Sequence, residues 1–431
     1  MGSIQSVKGT RDILPDEVRA WQRVEAIARD ILQKATYQEI RTPIVEYTEL
    51  FERGIGEATD IVGKEMYTFK DRAERLITLR PEGTAGAVRS FIQHKLNAQG
   101  DVQRLWYTGP MFRYERPQAG RQRQFHQLGV EVLGSPSPRA DAEAIALAAD
   151  ILQTLGLKNL HLKLNSIGSS TDRQTYRMAL IDYLTPYKSD LDVDSQERLT
   201  RNPLRILDSK DGRTQAVLEN APRILDYLSP DSQARFEQIQ SLLTDLGIAY
   251  EISNRLVRGL DYYTHTVFEI QSDDLGAQAT VCAGGRYDGL VAELGGPDTP
   301  AVGWAIGLER LIILLQQIQP PAPASVDFYL VSRGTQAEAQ AVVLAQNLRQ
   351  QGFTAELDLS GSAFGKQFKR ADRSGAAACL ILGDSEAATQ TVQLKWMITG
   401  EQTAIAQSDL LSQTVELRQQ IAAHQQERNE H

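Results

Sequence analysis

Phe112-Arg113-Tyr114-Glu115-Arg116-Pro117-Gln118 is followed, after Ala119-Gly120, by Arg121-Gln122-Arg123-Gln124-Phe125-His126-Gln127-Leu128-Gly129-Val130-Glu131. With its flanks (residues 104–134) this stretch reads as strand, loop, strand, the loop at 116–124 being polar and basic. Side chains alternate faces along a strand. Leu128, Val130 and Val132 therefore share one face and pack on a core, while Gln127 and Glu131 share the other. In the first strand Met111, Arg113 and Glu115 share a face, so the pair presents Arg113, Glu115, Gln127 and Glu131 to one polar cleft. A generic hairpin of this kind simply has a solvated face. Here four arginines, Arg113, Arg116, Arg121 and Arg123, stand within eleven residues against one glutamate. That density favours an anion or phosphate site, because a guanidinium keeps its charge and binds phosphate oxygens in pairs.

Outward from this hairpin, residues 18–34 predict an amphipathic helix, and residues 257–270 and 279–282 read as further strands. Strands that do not alternate with helices predict an antiparallel sheet with helices on one side. Between about 171 and 246 the texture turns helical (176–184, 223–228, 231–246), which predicts an insertion within the first domain, residues 1–318. Residues 319–325 carry three prolines in seven positions and read as a semi-rigid linker. Beyond it come a strand at 326–331, a helix from about 337 to 351 stopped by Gly352, a strand at 354–359, a helix from about 365 and a strand at 377–382. That alternation predicts a small α/β domain, residues 326–431, with a mainly parallel sheet. Residues 425–431 are polar and are expected to fray.

Length and composition fit this plan. The chain has 431 residues, enough for two or three domains; 42% are apolar and 23% charged, the average of soluble globular chains. A formal charge of −9 disfavours a uniformly basic coat but leaves room for a local basic patch. Two cysteines without a CxxC disfavour a disulfide framework or a structural zinc, and six scattered histidines form no ligand-spaced cluster. The start, Met1 to Ser6, has no apolar leader pattern, and no apolar run approaches the ~20 residues that span a bilayer. A soluble protein of the reducing cytoplasm is expected.

The hairpin also resembles motif 2 of the class II aminoacyl-tRNA synthetases, in its histidyl form. Other segments agree in order. Val7-Lys8-Gly9-Thr10-Arg11-Asp12-Ile13-Leu14-Pro15 resembles the family's opening. Residues 37–50 with Phe51-Glu52-Arg53-Gly54 resemble motif 1, which forms the dimer interface in this class. Leu79-Arg80-Pro81-Glu82-Gly83-Thr84 resembles the loop that holds the amino group of histidine; it also reads as a turn with Thr84 capping a helix to about Leu96. Leu256-Val257-Arg258-Gly259-Leu260-Asp261-Tyr262-Tyr263-Thr264 and Ala283-Gly284-Gly285-Arg286-Tyr287-Asp288-Gly289-Leu290 resemble the two histidine-specific motifs. Ala301-Val302-Gly303-Trp304-Ala305-Ile306-Gly307-Leu308-Glu309-Arg310-Leu311 resembles motif 3, with Arg310 in the first turn of its helix. Phe364-Gly365-Lys366-Gln367-Phe368-Lys369-Arg370-Ala371-Asp372-Arg373, then Cys379-Leu380-Ile381-Leu382-Gly383-Asp384, resembles the anticodon-binding domain; there Lys366, Lys369, Arg370 and Arg373 recur at helical spacing. The loop departs from the family's pattern at Ala119, where a basic residue is expected.

The resemblance implies an α+β class II catalytic core with a C-terminal α/β anticodon-binding domain. It implies an enzyme that joins L-histidine to tRNA(His) through a histidyl-adenylate, with ATP as substrate, Mg²⁺ held mostly by phosphates and water, no metal-ligating set of its own, and a homodimer. It assigns Arg113 and Arg258 to catalysis. Glu82, Thr84, Gln127, Glu131, Arg258, Tyr262 and Tyr263 would bind histidine; Glu131 takes one ring nitrogen and Tyr263 serves the other. Arg113, Glu115, Arg121, Phe125 and Arg310 would bind ATP, and Arg116, Gln118 and Arg123 the acceptor end of tRNA. The alternative role for Arg258 is an ion pair with a carboxylate such as Asp261 that braces the strand. The alternative for the whole chain is the regulatory subunit of ATP phosphoribosyltransferase, which resembles the same core but lacks an anticodon domain.

Overall fold

The computed structural model describes residues 3–56, 59, 61–118, 120–274, 280–318 and 326–430, with only the backbone of the last four. Ala119, the expected linker at 319–325 and the first residue of the strand expected at 279–282 lie outside the described residues. The chain divides into two compact units, Met1–Pro321 and Ala322–His431.

The first unit is built on an eight-stranded sheet. Its order is Gln38–Glu39, Gln103–Phe112, Gln124–Leu133, Ala301–Gly307, Thr280–Arg286, Thr264–Ser272, Leu160–Ser166, Tyr250–Ile252. The six inner strands pair antiparallel, and the two short edge strands pair parallel. One face carries Leu128, Val130, Val132 and Ile306 into a core shared with the helices Pro15–Lys34, Pro138–Thr154 and Leu308–Ile318. The first of these helices starts three residues earlier than the periodicity suggests. Pro15 opens it where a missing N–H costs nothing, and Asp16 and Glu17 face the positive end of its dipole. The opposite face of the sheet carries the cleft.

The strand expected over 257–270 forms only at Thr264–Ser272. The residues before it are bonded by side chains instead of a ladder. Asn165 Nδ2 donates to the Leu256 carbonyl at 3.0 Å, and Arg173 Nη1 to the carbonyls of Asp261 and Tyr263 at 3.2 and 2.8 Å. This frees the segment to line the cleft.

The helical region has its own core, with Tyr176, Leu180, Leu184, Leu199 and Ile206 packed against Val257, Tyr262 and Tyr263. Its last helix, Pro230–Asp245, which the sequence groups with the insertion, instead sends Phe236, Ile239 and Leu243 into the main core. Asp172 ties the two. It closes a capping box with Ser169 on the helix Ser170–Leu184, and accepts from Ser229 N at 2.9 Å and Ser232 Oγ at 2.6 Å at the start of Pro230–Asp245. Burial would raise its carboxyl, but these donors outweigh it and hold the pKa down at about 2. A three-stranded antiparallel sheet, Val45–Tyr47, Leu76–Leu79 and Tyr67–Lys70, has no counterpart in the sequence reading.

The second unit holds a five-stranded sheet, ordered Ala355–Leu357, Phe328–Ser332, Ala378–Leu382, Thr391–Trp396, Gln402–Ala406. The first three strands are parallel, as expected; the last two add an antiparallel hairpin. The helix Thr414–Glu430 takes in residues 425–430, and its apolar anchors lie before them. Leu417 and Ile421 are buried, the His424 ring stacks on Trp396 at 4.4 Å, and Gln425 reaches Asp327 at 3.2 Å.

Among the described residues, no helix is long and apolar enough to cross a membrane.

Candidate active site

The hairpin's ladder ends at Phe112 opposite Gln124, and its loop then folds over the cleft. Arg113 N donates to Arg123 O at 2.9 Å, and Gln118 and Arg121 exchange backbone bonds of 3.0 and 2.9 Å around Gly120, whose φ of +71° suits glycine. The N-terminal segment braces this loop: Gly9 O accepts from Arg123 N at 2.7 Å. Arg113 is fixed by Nε donating to Pro81 O at 2.9 Å, with its guanidinium 5.1 Å from the Phe125 ring. Arg121 pairs with Glu115 at 3.1 Å, and Arg310 Nη1 donates to Thr280 O at 3.0 Å. Burial pushes the Arg310 guanidinium below its ordinary pKa, and neighbouring Arg121 and Arg113 add to the push. Positive charges held together in this way are stabilised by an anion between them.

These side chains line a cleft of about 740 Å³ together with Glu82, Thr84, Gln127, Glu131, Arg258, Tyr262 and Tyr263. Every residue assigned from the sequence to catalysis, histidine or ATP is therefore brought to one cavity. The three assigned to the tRNA end are not among its walls. Arg116 and Gln118 are exposed. Arg123 is occupied internally: its guanidinium lies 3.9 Å from the Tyr114 ring, and its nitrogens donate to Glu115 O and Lys8 O at 3.3 and 3.4 Å.

The floor of the cleft is Glu131, 1% exposed. Its Oε1 accepts from Thr84 Oγ1 at 2.7 Å and Tyr107 OH at 3.0 Å, and its Oε2 from the Tyr287 hydroxyl. Burial pushes its pKa up to about 8, against these donors. Gly303 makes room for it; a Cβ there would stand 1.9 Å from Oε2. The expected cap by Thr84 is not formed. Glu82 caps the helix Thr84–Gln93 instead, its two oxygens accepting from Thr84 N and Ala85 N at 2.7 Å each, which leaves the Thr84 hydroxyl for Glu131. Gln127 Oε1 is buried with no partner among the described residues.

Arg258 does not pair with Asp261. Its Nη1 pairs with Glu269, which also accepts from Thr280 Oγ1 at 2.8 Å and Gln271 Nε2 at 3.0 Å. Burial would lower this guanidinium's pKa, but Glu269 prevails and raises it. Arg258 Nε is buried and has no hydrogen-bond partner among the described residues. Asp261 instead accepts from Asn202 at 2.7 Å.

A family model described as histidyl-tRNA synthetase matches residues 9–311, and one described as an anticodon binding domain matches residues 327–417. The chain belongs to the histidyl-tRNA synthetase family. Its similarity to other members runs end to end. It is 69% identical to the histidine–tRNA ligase of Gloeothece citriformis over 100% of both chains, and 71% identical to that of a Cyanothece species over 98% of each. The apo histidyl-tRNA synthetase of S. aureus superposes with a TM-score of 0.80 at 39% identity, covering 95% of this chain and 99% of that one. Full-length relatives of this kind support the ligase and not the regulatory subunit. The fold is the class II synthetase fold.

Sequence reasoning missed two tyrosines of this synthetase cleft. Tyr287 stands inside the second histidine-specific motif and was legible there. Tyr107 carries no motif; its only signal is an aromatic paired with Gly129, on the strand face that also carries Gln127 and Glu131. In the second unit, the helix Phe364–Ser374 buries Gln367 and Ala371 and exposes Lys366, Lys369 and Arg373. Arg370 leaves that stripe: its Nε pairs with Asp358 at 2.7 Å and it donates to Ser362 Oγ at 2.5 Å.

Proposed function

We infer that the chain is a histidine–tRNA ligase that converts L-histidine and ATP to histidyl-adenylate and pyrophosphate, then transfers histidine to the 3′ end of tRNA(His). The observation that carries this is one cleft holding a buried carboxylate, Glu131, together with the motif arginines Arg113, Arg121, Arg258 and Arg310. The first step brings a carboxylate against a phosphate. The barrier is mostly charge and alignment, which fixed guanidinium groups lower. Arg113 binds the α-phosphate and Arg310 the distal phosphates; Glu115, Arg121 and Phe125 complete the nucleotide site. Arg258 meets the amino acid carboxylate where the bond forms. Gln127 Oε1, an acceptor without a partner among the described residues, suits the α-ammonium, with Glu82 and Thr84 beside it. Glu131 accepts from the imidazole, and Tyr263, packed 4.7 Å from Tyr262, serves its other nitrogen.

Mg²⁺ enters with ATP, held by phosphates and water and neutralising phosphate charge. Among the described residues no three ligating side chains stand together, and Glu115 and Glu269 are engaged by arginines. Arg116, Gln118 and Arg123 remain our assignment for the tRNA end. Residues 1–318 form the catalytic domain and 326–431 the anticodon-binding domain, and cytoplasm is the compartment that holds these substrates.

A homodimer completes the proposal. Ile44, Val45 and Tyr47 in the motif 1 region, with Phe69 and Leu76 beside them, are 41–53% exposed, an apolar surface suited to a two-fold contact. The decisive assay is exchange of labelled pyrophosphate into ATP. It should require histidine and Mg²⁺, and no other standard amino acid should replace histidine. Folded protein without histidine-dependent exchange would overturn the reading.

A further inference from the structure

Tyr107 is 3% exposed and lies behind the cleft, not on its wall. Two glycines form its slot. A Cβ on Gly83 would stand 2.1 Å from Tyr107 Cε2, and one on Gly129, its ladder partner, 2.2 Å from Cζ. Real Cβ atoms do not approach so closely, so any side chain at either position displaces the ring. Held in this slot, the ring brings its hydroxyl 3.0 Å from Glu131 Oε1.

The consequence follows from counting acceptors. An ionised carboxylate offers about four lone-pair positions. Thr84 and Tyr107 occupy both on Oε1, and Tyr287 occupies one on Oε2. Among the described residues no other donor reaches Glu131, which leaves one acceptor position, on the oxygen whose neighbour, Gly303, has no side chain to crowd it.

We propose that Tyr107 is a specificity-determining positioning residue: with Thr84 and Tyr287 it locks the Glu131 carboxylate and reduces it to a single open acceptor, matched to the one N–H of a neutral imidazole. Tyr107 acts through Glu131 and does not touch the amino acid. Without its hydroxyl, Oε1 keeps an unfilled acceptor in a site closed to water, and the carboxylate loses the bond that fixes its plane. The loss appears when histidine binds, while the nucleotide arginines are untouched. The inference rests on the reading of Glu131 as the imidazole acceptor.

Tyr107→Phe tests it, since phenylalanine fills the same glycine slot and keeps the fold. Pyrophosphate exchange should show KM for histidine raised on the order of 10-fold, the loss of one hydrogen bond to a charged group. KM for ATP should stay unchanged. A histidine KM equal to the parent's overturns the proposal. So does an equal rise in both KM values, which marks a general disturbance of the cleft. Glu131→Gln, measured in parallel, separates the two levels. If it exchanges histidine normally, the reading of Glu131 fails. If it is impaired while Tyr107→Phe is normal, only the role of Tyr107 fails.

Discussion

Asp141→Asn should destabilise the first unit and loosen the histidine pocket at once. Asp141 and Arg286 form an ion pair in which both side chains are 0% exposed. Arg286 spends all three nitrogens there. Nε and Nη2 reach Asp141 at 3.1 and 2.5 Å, and Nη1 donates to Ser135 O at 3.0 Å and Asp288 at 2.9 Å. The substitution keeps the shape and removes one charge. It leaves a guanidinium in the core with Asp288, 31% exposed, as its remaining carboxylate partner.

Breaking a buried pair from one side costs about 3–5 kcal/mol. Asp288 tempers the loss, whereas Arg235, 3.6 Å from Asp141, adds to it by losing its anion, so the expected cost is at least about 3 kcal/mol. At about 2.1 cal/mol/K of unfolding entropy per residue, a unit of ~320 residues melts about 1.5 °C lower per kcal/mol, which gives a drop of at least about 4–5 °C. Arg286 directly precedes Tyr287, whose hydroxyl holds Glu131, so KM for histidine should rise while KM for ATP does not. Adding Arg286→Met removes the stranded charge and should recover part of the stability but none of the histidine affinity. Calorimetry and pyrophosphate exchange on the same preparations test this. A single variant that melts within 1 °C of the parent, or a double variant less stable than the single one, refutes the argument that uncompensated charge is the cause.

Arg258→Ala should slow adenylate formation by ~10²–10³, as loss of a group aimed at the reacting centre does, while sparing much of ATP binding; a loss in single-turnover rate explained entirely by weaker ATP binding or unfolding would sink this assignment. Histidine affinity should fall about tenfold per pH unit from about 8 down to the ordinary imidazole value of ~6.5, and about a hundredfold per unit below it. Glu131, raised to about 8 by burial, must lose its proton to accept from the neutral ring, and below the imidazole value the ring must lose one as well. Titration calorimetry that finds tighter binding at pH 5.5 than at 7 would mean that Glu131 titrates as an ordinary carboxylate. A cut within residues 319–325 should leave a first unit that makes adenylate but charges tRNA poorly; full charging by that fragment would remove the anticodon role from the second unit. Sedimentation should give a dimer at micromolar concentration, and a monomer there would contradict the proposed motif 1 contact.

The main hairpin and the parallel part of the second sheet were legible because each is local: alternation sets the faces, and glycine or proline sets the ends. What sequence could not reach were contacts fixed by distant partners. Residues 257–263 have strand-like composition, yet Arg173 claims the carbonyls of Asp261 and Tyr263, and Asn165 that of Leu256 just before them, so they leave the sheet. The helix Pro230–Asp245 reads like its neighbours in sequence, and only the position of Phe236, Ile239 and Leu243 in the main core separates it from them. The helix Thr414–Glu430 was not read from the sequence; Leu417, Ile421 and the stack of His424 on Trp396 give it one anchored face.

The site divides along the same line. Its charged members were readable because charge at fixed spacing has few uses, and the cleft gathers Arg113, Arg121, Arg258 and Arg310 as the motifs imply. Their pairings were not readable: Arg258 finds Glu269, on the strand that follows its segment, in place of nearby Asp261, and Arg370 turns to Asp358 and away from its own stripe. The tyrosine behind Glu131 was the least visible, since its position depends on the absence of side chains at Gly83 and Gly129, far apart in sequence and joined only by the fold. Yet the chemistry of the pocket depends on it. A carboxylate this deeply buried drifts toward its protonated form, and each hydroxyl that donates to it opposes the drift. The same three donors that bring Glu131 within reach of ionisation also use up its spare acceptors. Proton affinity and ring selectivity are therefore set by one group of side chains, and a change that alters one should alter the other.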